Sequence, residues 1–333
     1  MVGSKGWVRG RRVEGVQDWE AKLPPILEGL GKNPDLDTLV VALYVTVDDL
    51  LVAHPDWAPE RPAVGIAPKL SDAELVASAV LSVLLGFDSE RRFVRWARAN
   101  LRAWFPYLPG HAGYNKRLRR SAEMLRHAIG ALGRDCPAWC DDVWLVDSTP
   151  VPCGRSRATQ QRSDLAGWAE YGYSASRSRW FWGLRLHLLA TPAGLPVAFA
   201  LAGAKADERE TCLGMIARGG PARPGQTLLA DKGYRSAAFE AELAAQGITL
   251  IRPATRTEPP RPGERFLRPL RQIIESIIGA LKDQLGLERH RARSPAGVWA
   301  RVLQRLLALT AVVWHNQTTQ QPRPARGLLA YDH

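Results

Sequence analysis

The sequence is short of several things. Its 333 residues include four cysteines, Cys136, Cys140, Cys153 and Cys212, and no CxxC pair. That spacing argues against a zinc site and for ordinary reduced thiols of a cytosolic protein. No run of eighteen apolar residues occurs, so no membrane span is expected. The opening stretch, MVGSKGWVRGRRVEG, is basic but lacks the apolar segment of a secretory signal. There is no GxxxxGK[ST] loop, hence no sign of a nucleotide cofactor, and no internal repeat. Acidic residues are outnumbered, 33 Asp+Glu against 45 Lys+Arg, for a formal net charge of +12. Nearly all of the excess is arginine, whose planar fork binds phosphate and stacks on bases. Such a balance favours a polyanionic partner, most often nucleic acid. A generally arginine-rich proteome would produce the same balance, so charge alone does not decide.

The positive charge is unevenly placed. Eleven Lys/Arg face three Asp/Glu between Asp88 and Arg134, with Trp96, Trp104, Phe105 and Tyr107 interleaved. Residues 1–34 read as a basic, flexible arm. Residues 35–140 read as an all-α unit, with a helix over 35–54, a Pro-rich linker, and a helix opened by a Ser71…Glu74 capping box. Two basic amphipathic helices follow, over DSERRFVRWARANLRAWF and NKRLRRSAEMLRHAIGALG. Basic helical faces suit duplex DNA, with Arg117 and Arg120 as candidate contacts; a solvated surface over an aromatic core is the competing reading.

From residue 141 to 316 the pattern becomes mixed α/β, and 317–333 reads as a frayed tail. Val143–Val146 is a short apolar strand that runs into Asp147 and a Pro-rich turn. A carboxylate there needs a partner if buried. It could cap the turn or hold a cation. WFWGLRLHLLA alternates, Leu184, Leu186 and Leu188 on one side, Arg185 and His187 on the other. TPAG is a type I turn signature, so this strand forms a hairpin with LPVAFALA. TLLAD is a strand that again ends in an aspartate, Asp231, and ITLIRPA is a fifth strand. Asp207 with Glu210 reads as a helix N-cap. His187 reads as a satisfied structural histidine.

The third acidic candidate is Glu275, in the long helix LRQIIESIIGALKDQLG. At about 100° per residue, Arg271 and Lys282 lie within about 40° of it on one stripe. Ile274, Ile278, Leu281 and Leu285 form the adjoining apolar stripe. If the two aspartate-ending strands are parallel neighbours, Asp147, Asp231 and Glu275 converge. Such a set suits magnesium or manganese, and two such ions serve in-line attack at a phosphodiester.

The strand order resembles the ribonuclease-H-like fold, here a mixed five-stranded sheet with flanking helices. LVDSTPV, LLADKGY and RQIIESIIGALK resemble the three blocks of DDE-type insertion-sequence transposases. Arg271-x3-Glu275-x6-Lys282 matches most of the signature around the third acidic residue; where many relatives have a tyrosine, this chain has Arg268. The resemblance spans roughly residues 70–315. It implies Asp147, Asp231 and Glu275 as catalytic metal ligands for two Mg2+ (or Mn2+) ions. It implies DNA contacts from Arg271 and Lys282, with Lys232 and Tyr234 in the turn after Asp231 and Arg155 and Arg157 after Asp147 as further candidates. The partners implied are double-stranded DNA, as transposon ends and target, and a second copy of the chain in a synaptic homodimer. The expected place is the cytoplasm, at the nucleoid. A metal-dependent nuclease or resolvase of the same fold, or a non-catalytic DNA-binding descendant, would share much of this pattern.

Overall fold

A computed structural model describes residues 34–61, 67–154, 157–174, 178–219, 225–264, 267–320, 325–328 and 331. The expected basic arm therefore lies outside the described residues, apart from Pro34.

Helices come first: α1 (Pro34–Ala53), α2 (Asp72–Leu84), α3 (Glu90–Asn100), α4 (His111–Arg120) and α5 (Ala122–Asp135). The capping box of α2 is formed. The Ser71 hydroxyl accepts from the Glu74 amide at 3.0 Å, and the Ser71 amide donates to the Glu74 carboxylate at 2.5 Å. The second basic segment, expected as one helix, is divided at Ser121 into α4 and α5. Ser121 is buried, and its neighbours keep helical periodicity on both sides, so no glycine or proline marks the bend.

The sheet elements are β1 (Val143–Gly154), β2 (Glu170–Ser174), β3 (Arg179–Ala190), β4 (Pro196–Gly203), β5 (Thr227–Leu229) and β6 (Thr249–Ile251). Between them lie α6 (Arg157–Gln161), α7 (Glu208–Gly219) and α8 (Ala237–Ala245); α9 (Leu267–Gly279) and α10 (Pro295–Thr318) follow. The sheet has six strands in the order β2-β3-β1-β5-β6, with β4 also paired to β3. The additional strand is β2, which pairs antiparallel with the first half of β3 while β4 pairs with the second half. The predicted hairpin is present: the Gly194 amide donates to the Thr191 carbonyl at 2.8 Å, with Gly194 at φ +91°. Thus β1, β3 and β4 are antiparallel neighbours, and β5 and β6 extend the sheet in parallel from β1.

The two faces of the sheet are covered differently. Leu145, Val151, Leu184, Leu186 and Leu188 join a large core with α10, α9 and the N-terminal helices. Trp144, Val146, Leu189 and Leu228 join a smaller core with α7 and α8, through Cys212, Met215, Phe239 and Leu243. The large core runs without interruption from Leu36 to Tyr331. The expected boundary near residue 140 is a change of element type, and the packing is continuous across it.

Helix α10 is the axis of that core. It is long and apolar enough for a membrane span by length and composition, yet Val298 to Asn316 are almost all buried inside the protein. Two of its buried polar residues tie it to neighbouring helices. Gln304 donates to the Ala79 carbonyl at 2.7 Å and to Ser82 Oγ at 2.8 Å. Arg301 lies 2.9 Å from Glu90. The segment expected as a frayed tail is held down where it is described. Tyr331 is buried, its hydroxyl donating to Asn316 at 2.7 Å, and Asn316 donates to the Ala325 carbonyl at 2.8 Å.

Candidate active site

The first two acidic residues are placed by register. Val143, Trp144 and Leu145 pair in parallel with Thr227, Leu228 and Leu229. Asp147 and Asp231 each stand two residues beyond the last of these pairs, so they face one another across the opening between two parallel strands. Asp147 is not at a strand end, as the sequence suggested. β1 continues to Gly154 against β3, while β5 stops at Leu229. The sheet thus parts at the aspartates, and the gap is the mouth of a cleft of about 720 Å³.

Asp147 is half-buried, and its carboxyl is pushed up to about 6. Burial is the main cause; the nearby carboxylates of Asp231 and Glu208 push the same way, and the Ser148 amide and Lys282 oppose them. The Ser148 amide donates to Asp147 Oδ1 at 2.7 Å. Asp231 is exposed and accepts from the Gly233 amide at 2.7 Å, capping the turn Lys232–Tyr234. A Cβ on Gly233 would lie 2.9 Å from Asp231 Oδ1, so glycine there leaves room for the carboxylate.

The third wall is α9. Ile274, Ile278, Leu281 and Leu285 are buried as the stripe predicted, and Glu275, Arg271 and Lys282 line the same cleft as the aspartates. Glu275 is 58% exposed and accepts from Arg271 Nε at 3.0 Å, one turn away. Among the described residues, no three His, Cys, Asp or Glu side chains stand close enough together to hold a metal ion. In this arrangement Glu275 serves its neighbouring arginine rather than the aspartates. The cleft nevertheless has the donor chemistry of a hard cation: carboxylate oxygens, one of them half-buried.

The structure adds a group that the sequence did not single out. Glu208, the first residue of α7, accepts from Ser148 Oγ at 2.5 Å and pairs with Arg185 at 3.4 Å. Arg185 also donates to Ser148 Oγ at 3.0 Å and to the Tyr173 carbonyl at 3.2 Å. This network locks the residue next to Asp147 to β3 and α7. Its signal in the sequence was faint: Arg185 was placed opposite the leucines, but Glu208 sits inside a helix start already explained by Asp207. That cap is present, Asp207 Oδ1 accepting from the Arg209 and Glu210 amides at 2.8 and 3.2 Å.

Other expectations are corrected. Tyr234 is 1% exposed and belongs to the smaller core, so it does not present a DNA-contacting surface. Burial, then the carboxylates around it, push its hydroxyl well above its ordinary value, and the hydroxyl has no hydrogen-bond partner among the described residues. His187 is fully buried, with neither ring nitrogen partnered among the described residues; burial, then Arg185, push it down to about 4. It is structural and neutral, but not hydrogen-bonded as expected. Arg117 is a tie between helices: it donates to the Leu70 carbonyl at 2.5 Å and to Asp72 at 2.6 Å. Arg120 and Lys232 are exposed. Arg155 lies outside the described residues, as do the side chains of Arg157 and Arg268.

Residues 138–311, more than half of the sequence, match the family described as the transposase DDE domain. The chain belongs to that family. No curated protein matches the sequence. Among solved structures it is similar to a chain of the cryo-EM structure of a piggyBac transposase synaptic complex with hairpin DNA. The two are 8% identical, the match covers 88% of this chain and 77% of that one, and the TM-score is 0.39.

Proposed function

We propose that this protein is the transposase of an insertion sequence. It binds the terminal inverted repeats of its element and cuts there to expose 3′-hydroxyls. It then joins those ends to target DNA by direct transesterification. Two copies act together on paired ends, in the cytoplasm at the nucleoid. The observation that carries this reading is the parallel register that brings Asp147 and Asp231 to one opening of the sheet, in a cleft also lined by Glu275 and Lys282. The antiparallel β4-β3-β1 set with β5 and β6 appended in parallel supports a ribonuclease-H-like catalytic unit.

Asp147 and Asp231 would hold two divalent cations, magnesium or manganese, joined by Glu275 once it leaves Arg271. Such ions, when bound, supply an activated oxygen nucleophile and stabilise the leaving oxygen. The chain itself orients the strand: Arg271 and Lys282 offer positive charge to phosphates at the α9 wall. The Ser148–Glu208–Arg185 network fixes β1, so the Asp147 carboxylate keeps its place as charge builds up beside it.

The test separates chemistry from binding. Asp231→Asn removes a cation ligand but no cation of the protein, so nicking of an end-bearing duplex is lost while affinity stays within about twofold. Gel shift and nicking on one preparation read both. Loss of binding together with cleavage would show that Asp231 supports the fold and not the reaction.

A further inference from the structure

The segment joining α9 to α10 alternates between buried and exposed residues. Leu287 and His290 are buried, while Arg289, Arg291 and Arg293 are exposed. His290 is the anchor. Its Nε2 lies 3.0 Å from the Pro152 carbonyl and donates to it, and its Nδ1 accepts from the Ala292 amide at 3.1 Å. The segment is thereby fixed to β1, the strand that carries Asp147. Between the two ends of this clamp, Arg291 has φ +55°, the left-handed region where glycine would sit without strain. A bulky arginine held in a strained backbone is the kind of outlier that points to use of its side chain.

What surrounds it is positive. A cleft of about 470 Å³, sharing no lining residue with the active-site cleft, is bounded by Arg91, Arg119, Arg291 and Arg293. Its buried carboxylate, Glu90, is already engaged by Arg301 and by Asn115 at 2.6 Å. Asp88 is shared by Arg289 at 3.5 Å and Arg291 at 3.8 Å, both long contacts. Five arginines thus meet two accessible carboxylates, Asp88 and Asp164. The segment, though Arg289 itself does not line this cleft, also leads back to the active site along the chain. Arg289 donates to the carbonyl of Asp283 at 3.2 Å, and Asp283 with Lys282 lines the active-site cleft.

We propose that Arg289, Arg291 and Arg293, with Arg91 and Arg119 across the cleft, form a second binding surface for the phosphate backbone of duplex DNA, continuous with the active-site wall. It grips the duplex outside the cut, while the strand at Asp147 is held by α9. His290 is the positioning residue that keeps the ridge attached to β1. This inference rests on the DNA-cleaving reading above.

The experiment measures affinity against salt for a labelled duplex of about 30 base pairs of arbitrary sequence, since backbone contacts are sequence-independent. Arg291→Gly/Arg293→Ala removes two charges, and glycine accepts the left-handed backbone, so the fold is kept. The expected result is a salt slope lower by about two units and an affinity weaker by about tenfold or more at low salt. Arg291→Lys/Arg293→Lys should restore the slope, and Arg293→Ala alone, at an exposed site, should lower it by about one unit. An unchanged slope in the double variant, with the wild type binding normally, overturns the ridge and leaves the transposase reading intact. Absence of salt-dependent binding by the wild type overturns both. A slope lowered as much by the lysine pair as by the neutral pair shows damage to the loop rather than lost charge, and also overturns the proposal.

Discussion

Asp147 pays for its position with its own solvation. Folded, it holds its proton to about 6, against 3.8 for the ordinary carboxyl. The extra stability of the protonated form is therefore complete below the lower value and is lost as pH rises through the upper one. At neutral pH the ionised group weakens the metal-free protein by roughly 1–3 kcal/mol. Asp147→Asn should accordingly melt higher than the wild type at about pH 7.5 in a chelator, with the gain shrinking toward zero near pH 4. Thermal unfolding of both proteins across that range checks it; a variant that melts lower at neutral pH would mean that the carboxylate stabilises the strand. Glu275 differs. It is exposed and paired with Arg271 within one helix, a kind of contact worth only a few tenths of a kcal/mol. Little holds it away from the aspartates.

At the scale of elements, the polar stripe on α10 governs how the helices meet. Glu90 and Arg301 approach to 2.9 Å, though not in hydrogen-bonding alignment, with both side chains nearly removed from water. Burial pushes Arg301 below its ordinary value, and the Glu90 charge offsets that. Removing one partner leaves an uncompensated buried charge, which costs about 3–5 kcal/mol. Glu90→Ala should lower unfolding free energy by that order in a denaturant titration, whereas Glu90→Gln with Arg301→Met should recover much of it. Equal loss in the single and double variants would assign the effect to packing. The loop that links β6 to α9 is fixed by a similar device. Arg252, 1% exposed, bonds Glu240 at 2.9 Å and Glu258 at 2.7 Å. This short clamp delivers α9 to the sheet within the 43 residues that lie between Asp231 and Glu275.

At the scale of the molecule, what could be read from the sequence was whatever local pattern determines. The aspartates stood out because apolar strands run straight into them, and α9 because its apolar and charged stripes are separate. The capping box and the hairpin turn carry their own signatures. What escaped depends on distant partners. Strand β2, Glu170–Ser174, has a central glycine and two exposed tyrosines, and becomes a strand only because β3 offers an edge. Glu208 acquires its role from Ser148 and Arg185, residues that meet it only in the folded sheet. Tyr234 follows a glycine turn and looked exposed, but the smaller core closes over it. The polar tail packs because Asn316 and His315 on α10 provide its bonds. The shared core predicts that a chain ending at residue 140, without α10, fails to give a separately folded helical half. Limited proteolysis and circular dichroism of that fragment should show a collapsed or aggregated species; a sharp cooperative melt would show that the helices before residue 141 fold alone.

That arrangement also sets a clock on the protein's birth. Helices α1, α2 and α5 are all made before α10, the helix they wrap. Where most proteins fold domain by domain as they are synthesised, this one must keep its first helices waiting, with apolar faces uncovered, until translation reaches α10. The arginine ridge proposed above can be assembled only after α10 has been made, so a chain that stops short of that helix has no such surface to offer a phosphate backbone.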